Sequence, residues 1–289
     1  MQFATDRPYV LTASCASRLG TTAAVCNFLA AQRLYIMEMQ QFDDTLSGRF
    51  FVRVMFCPVQ EESFDLGRLR DEFAALARAE GMNWAIHDTA VRPKVMIMVS
   101  HLDHCLEDLV YRQRTGELKM DVPAIVSNHP TLKRVADANS IPFHHMPITP
   151  ETKAAQEARL VELIERTQTE LVVLARYMQI FSDAACRKLH GRVINIHHSF
   201  LPSFVGAKPY HQAHARGVKL IGATAHFVTP DLDEGPIIEQ IVERVDHSFT
   251  PDLLAAWGRE SERRALTTAV RLILEHRILL NGERTVIFH

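Results

Sequence analysis

Val193-Ile194-Asn195-Ile196-His197 is the stretch that decides the fold of this 289-residue chain. It is an apolar run interrupted by one amide and closed by one imidazole. Runs of the same kind stand at 94–99 (KVMIMV), 122–126 (VPAIV) and 170–174 (ELVVL), with a shorter one at 141–145. Strands that are apolar at nearly every position are buried on both faces, as in parallel sheets covered by helices. The intervening segments, at about 101–113, from 131, and 151–167, supply those helices. The pattern predicts an α/β, Rossmann-like, mostly parallel sheet over 94–289. Residues 219–228 and 236–245 read as a longer strand pair joined by a turn around Asp231-Leu232-Asp233-Glu234-Gly235-Pro236. Thr250 and Pro251 predict the cap and first position of a long closing helix.

Upstream the periodicity changes. Residues 9–15 read as a strand, 19–32 as a helix and 34–42 as a strand. Phe50, Val52, Val54 and Phe56 alternate with Arg49, Phe51, Arg53 and Met55, which predicts a half-buried strand. Leu66, Leu69, Phe73 and Leu76 form a helical stripe that Gly81 stops, and 82–87 closes the set. The order β-α-β-β-α-β is the split ferredoxin-like arrangement. The domains are therefore 1–87 and 94–289, with 88–93 (DTAVRP) as linker.

Composition narrows the class. Lys and Arg number 32 against 34 Asp and Glu, a net charge of −2 that argues against nucleic acid as a partner. The 47% apolar content is that of a globular chain. No apolar run has bilayer length, and Met1–Pro8 lacks the basic and apolar regions of a leader, so no membrane partner is expected. Five cysteines without a C-x-x-C pair predict reduced thiols and a cytoplasmic protein. The 15 histidines are the compositional oddity.

The densest polar cluster runs from Asn195 to Phe204. Residues two apart on a strand share a face, so Asn195 and His197 point the same way. They stand at the carboxyl end of a parallel strand, where open α/β sheets bind ligands. An amide beside an imidazole suits carbonyl chemistry, with Asn195 donating to an oxyanion and His197 donating or carrying a proton. The competing reading is a strand end with a surface histidine. Asp233, on its tight turn, either orients an imidazole and water or stabilises the turn. His101, Asp103 and His104 hint at metal ligands, but helix capping by Ser100 or Asp103 is the simpler account, and no metal is expected.

Asn195-x-His197, Ser199-x-Leu201-Pro202, His226-x-Val228 and Leu232-Asp233-x-Gly235 together resemble the folate-dependent formyltransferase family. Gly206-Ala207-Lys208-Pro209-Tyr210-His211 and Gly217–Thr224 are similar to one branch of it, the formyltetrahydrofolate deformylases. The resemblance runs from about residue 8 to the end. It implies hydrolysis of 10-formyltetrahydrofolate to tetrahydrofolate and formate, supplying formate for purine synthesis and balancing one-carbon folate pools. It implies Asn195, His197 and Asp233 as the catalytic set. Arg176, Tyr177, Met178, Gln179, Ile180 and Phe181 would contact the folate, with His226 and Val228 beside them. Lys208 either attracts the folate glutamate tail or is solvated, and His226 either arranges water or is structural. No cofactor is implied, because the folate is the substrate. The N-terminal domain resembles an ACT-type module and implies a homo-oligomer, dimer or tetramer. Ala16-Ser17-Arg18-Leu19-Gly20 departs from the Pro-Asp-x-x-Gly of such modules, so the domain is read as an association module without a ligand.

The first catalytic strand is followed by Ser100–Leu109, which has no glycine and three carboxylates. Such a segment does not cradle a phosphate, so water is the expected acceptor. The alternatives are a formyltransferase to an amine and a non-catalytic folate or amino-acid sensor.

Overall fold

The first unit opens with β1 (Tyr9–Ala16), α1 (Thr21–Ala31), β2 (Leu34–Asp44), β3 (Arg49–Pro58), α2 (Leu66–Glu80) and β4 (Asn83–Asp88). These come from a computed structural model that describes residues 7–59, 64–201 and 209–289. Residues 1–6 and Gly206–Lys208 therefore lie outside the described residues. The strands form one antiparallel sheet in the order β2-β3-β1-β4, as the split ferredoxin-like reading predicts and as an ACT-like domain has it. Leu69, Phe73 and Ala77 form the buried stripe of α2. The Asp65 carboxylate caps that helix by accepting from the Gly67 and Arg68 amides at 2.8 and 3.1 Å. Gly81 ends it at φ 65°, a left-handed conformation that glycine adopts without steric cost.

β3 corrects the half-buried expectation. It is buried on both faces, and even Arg53 is only 1% exposed. The second face is covered by the end of the chain: Phe51 packs with Leu279, Val286 and Phe288. Arg53 donates to the Glu275 carbonyl at 3.3 and 3.1 Å and to Glu38 at 3.3 Å. Residues Glu275–Asn281 and Val286–His289 thus belong to the first unit, with the chain up to Val91. This corrects the domain division, which had placed everything from 94 to 289 in the second domain. Alternation along β3 could not reveal a cover contributed from more than 200 positions away.

That cover brings the rings of His87 and His276 together at 3.5 Å between centroids. Burial, with Arg70 nearby, lowers the His87 pKa from 6.5 to about 4. Burial, with His87 and Arg53 nearby, lowers His276 to about 3. The unfolded chain therefore binds more protons between pH 6.5 and these values. Stability contributed by the neutral pair is complete above pH 6.5 and is lost on acidification. Thermal melts between pH 4 and 7 should show Tm falling with acid, with a shallower slope in His276→Gln; parallel slopes would contradict this.

The second unit comprises Arg92–Leu274 and Gly282–Thr285. Its strands β5 (Val95–Val99), β6 (Ile125–Ser127), β7 (Phe143–His145), β8 (Leu171–Leu174) and β9 (Val193–His197) are parallel. β10 (Leu220–Phe227) and β11 (Ile237–Arg244) add antiparallel strands, giving the order β11-β10-β9-β8-β5-β6-β7. The helices are α3 (His104–Arg114), α4 (Lys133–Ala138), α5 (Lys153–Thr167), α6 (Asp183–Lys188), α7 (Pro209–Arg216) and α8 (Pro251–Leu274). α8 is the predicted closing helix, and its Leu253 amide donates to Thr250 at 3.3 Å. It does not end the chain: a hairpin of β12 (Ile278–Asn281) and β13 (Arg284–Ile287) follows. Every residue of β5 and β8 is buried, as runs apolar at all positions require. Among the described residues, no helix is long and apolar enough to cross a membrane. All five cysteines are free thiols.

Candidate active site

β9 and β10 set the site through their register. Asn195 lies opposite His226, and His197 lies opposite Thr224. The turn after β10 returns Asp233 to both. This turn requires Gly235, because a Cβ there would lie 1.8 Å from the Phe227 carbonyl oxygen. Asp233 itself has φ 58°, a left-handed conformation that Asp tolerates better than most residues.

Asp233 Oδ2 is 3.0 Å from His197 Nδ1. Asp233 Oδ1 accepts from Asn195 Nδ2 at 3.4 Å and is 3.5 Å from His226 Nε2. Burial would raise the Asp233 pKa, but hydrogen bonds from His197 and His226 and their charge outweigh it and hold the carboxyl well below its usual range. An ionised carboxylate only accepts, so His197 Nδ1 carries the proton. His197 Nε2 is 2.9 Å from the Ser199 hydroxyl, and in the neutral ring it is the acceptor of that bond. His226 Nδ1 faces the Phe227 carbonyl at 2.8 Å and must donate to it. Its Nε2 lies 3.3 Å from Asn195 Nδ2 and 3.5 Å from Asp233 Oδ1, and it donates to that carboxylate when the ring is protonated. With His226 turned to Asp233, only the Asp233 contact at 3.4 Å commits an Asn195 N–H, and the second N–H of the amide is left for the site. The strand's end is braced behind the site. Thr224 Oγ1 donates to the Ser199 carbonyl at 3.0 Å and accepts from the Leu201 amide at 3.1 Å.

The structure brings Asn195, His197 and Asp233 together on the wall of a cavity of about 420 Å3. The same cavity is lined by Arg176–Phe181, His226 and Val228, so every described residue of the predicted site meets there. Lys208 lies outside the described residues. Tyr177 and Phe181 belong to the core, whereas Met178 and Ile180 are exposed at the mouth. The walls are largely apolar with a few convergent polar groups, the usual character of a small-molecule site.

Three features escaped the sequence. Ser100 does not cap α3: its buried hydroxyl donates to Asn128 Oδ1 at 2.6 Å and accepts from the Met178 amide at 3.0 Å, pinning the cavity loop. Asp103 makes no capping bond either, since its carboxylate pairs with Arg134 at 2.5 Å. Glu157 anchors the other end of that loop through the Ser182 amide and hydroxyl at 2.8 and 2.5 Å. His198 stacks on His197 at 4.8 Å, and burial, with Arg176 and His197 nearby, lowers its pKa to about 4. His101, Asp103 and His104 do not converge. His101 stacks on His129 at 3.6 Å, and His104 Nε2 lies 2.8 Å from Glu262. His104, Cys105 and Glu262 do approach one another. However, burial pushes the Cys105 thiol up, and Arg176 stands 3.4 Å from Glu262, a cation where a metal would compete.

Comparison with known proteins identifies the family. The Formyl transferase family matches residues 93–270. Formyltetrahydrofolate deformylase of Corynebacterium sp. (strain P-1) is 49% identical over 279 residues, covering 96% of this chain and 97% of that protein. The crystal structure of formyltetrahydrofolate deformylase from Burkholderia mallei ATCC 23344 superposes with a TM-score of 0.94 at 56% identity, covering 98% of this chain and 100% of that one. Glycinamide ribonucleotide transformylase 1 from Symbiobacterium toebii superposes at 0.63 and 30% identity, covering 68% of this chain and 95% of that one.

Proposed function

We propose a mechanism from one premise: the chain belongs to the formyltetrahydrofolate deformylase family, within the wider Formyl transferase family. It is a hydrolase that converts 10-formyltetrahydrofolate to tetrahydrofolate and formate. The single observation that carries the mechanism is His197 held between Asp233 and Ser199, with Nδ1 protonated and Nε2 left as base. Water takes the Ser199 side of the ring and attacks the formyl carbon, and its proton passes to His197 Nε2. The carbonyl oxygen becomes an oxyanion, which Asn195 receives through Nδ2. The C–N10 bond then breaks, the electron pair leaves with N10, and His197 returns the proton there. Asp233 holds the imidazole's tautomer and balances its charge throughout. His226 stands beside the Asn195 amide and Asp233.

In this reading no cofactor takes part, since the folate is the substrate. The Arg176–Phe181 loop and Val228 wall the pterin. The first unit is an association module, and the exposed Tyr35, Met37 and Phe42 on the edge strand β2 support a homo-oligomer. Ser17 supports the absence of an effector there: its hydroxyl binds Asp43 and its amide binds the Gly48 carbonyl at 2.9 Å. The near-neutral charge and the free thiols support a cytoplasmic protein with no nucleic-acid partner. Its formate would feed purine synthesis.

The test is formate release from 10-formyltetrahydrofolate with no acceptor added, then with glycine and methionine in turn. The expected result is equimolar formate and tetrahydrofolate at a rate neither amino acid changes. Turnover only with an amine acceptor would establish a transferase, and folate binding without turnover a sensor.

A further inference from the structure

Hydrolysis creates a charge that the attack itself does not neutralise. A neutral formyl group and water become formate and a proton, and the anion arises beside Asp233, which is already ionised. Asn195, His197 and Asp233 account for attack and proton transfer, but none carries a fixed positive charge. Among the described residues lining the cavity, only Arg176 does.

Arg176 is built into its place. Its φ is 66°, a left-handed conformation open to glycine without cost and unfavourable for a side chain. The side chain is 11% exposed, and its Nε stands 3.4 Å from Glu262 Oε2 with no hydrogen-bond partner. Glu262, on α8, does not line the cavity, so the pair presents its positive end to the site. Glu262 is in turn held by His104 Nε2 at 2.8 Å and by the Tyr210 hydroxyl, which donates to Oε1 at 3.0 Å. Tyr210 lies so close over α8 that a Cβ on Gly258 would be 1.9 Å from its hydroxyl. Burial would raise the Glu262 pKa, but His104, Arg176 and Tyr210 lower it and keep the carboxylate charged. Beside Arg176 on the cavity wall, His198 Nε2 is also buried without a hydrogen-bond partner.

We propose that Arg176, positioned by Glu262, forms a subsite for the formate anion, receiving its carboxylate as the C–N10 bond breaks and holding it until release. The proposal rests on the hydrolytic reading above. In the balanced step, N10 leaves with the bonding pair and takes the proton from His197. The formic acid so formed loses its remaining proton to solvent, and the guanidinium compensates the carboxylate. Glu262 is a positioning residue that never touches the substrate.

Product inhibition of the full-length protein tests this. Sodium formate should inhibit folate turnover, and sodium chloride at equal ionic strength should not. Arg176→Met should raise the formate inhibition constant about tenfold or more, the loss expected for a charge-assisted hydrogen bond. Arg176 also belongs to the loop that walls the pterin, so the variant's folate KM should rise too, but by clearly less than the formate inhibition constant, which separates lost anion binding from general damage. Glu262→Gln should raise the inhibition constant in the same direction, and Arg176→Lys should retain part of the formate sensitivity. Line broadening of 13C-formate by the same proteins should rank them identically without requiring turnover. If Arg176→Met does not fold, Glu262→Gln carries the same criterion. Equal formate inhibition of wild type and variants would overturn the subsite, as would a parallel rise of KM and inhibition constant. A wild-type protein that releases formate but is insensitive to it would overturn the subsite and leave hydrolysis standing. A wild-type protein that releases none would overturn the hydrolytic reading itself.

Discussion

Asp233→Asn should lower kcat for formate release by about 10⁴-fold, the loss that a neutral amide produces when it replaces the carboxylate behind a catalytic imidazole. The replacement is nearly isosteric, so the Asp233 turn and the Gly235 contact with the Phe227 carbonyl should persist. What it removes is the charge that defines the His197 tautomer at 3.0 Å. An amide can present its NH2 to Nδ1, which would turn the basic nitrogen away from the water. His197→Ala should lose turnover to a similar degree, and the double variant should be scarcely worse than either single one, because the two residues act as a unit. Folate affinity, read by fluorescence titration, should change little in all three. Additive losses, or an Asp233→Asn enzyme within about tenfold of wild type, would remove Asp233 from the catalytic set and leave it a turn residue.

Asn195→Ala should lower kcat by about 10²–10³-fold, the cost of one oxyanion donor. The loss should fall on kcat more than on KM, since the donor acts on charge that develops only after attack. Asn195 also contacts Asp233 and His226 at 3.4 and 3.3 Å, so its removal tests whether it acts on the substrate or on its neighbours. Asn195→Asp separates the two. It keeps the shape but can offer the oxyanion only an acceptor beside a second carboxylate, and should be as impaired as Asn195→Ala. An Asn195→Asp enzyme with near-wild-type kcat would show that the amide merely spaces the site.

Much of this site is written locally. The period of two along β9 aims Asn195 and His197 at one side, and the parallel-sheet pattern puts that side at the carboxyl end of the sheet. The alternation between apolar strands and helices also foretells both sheets. Asp233 is different. As a residue of an Asp-rich turn it reads equally well as a structural cap, and only the register of β10 against β9 shows that its carboxylate reaches His197.

Ser100 and Glu262 were missed for the same reason. The amide that Ser100 accepts from lies 78 positions away, and Glu262 meets His104 across 158. The buried Arg53 and the cover that the chain's last residues give β3 escaped similarly, which is why the domain boundary moved. The sequence by itself determined most of the strands and helices, their order and the shared side of Asn195 and His197 on β9, though not the closing hairpin, because hydrophobic period and helix caps depend on neighbours a few residues apart. Only the tertiary structure decided which carboxylate orients which imidazole, and that Arg176 lines the same cavity as they do. Those pairings are made between segments far apart in the chain, and no local periodicity encodes them.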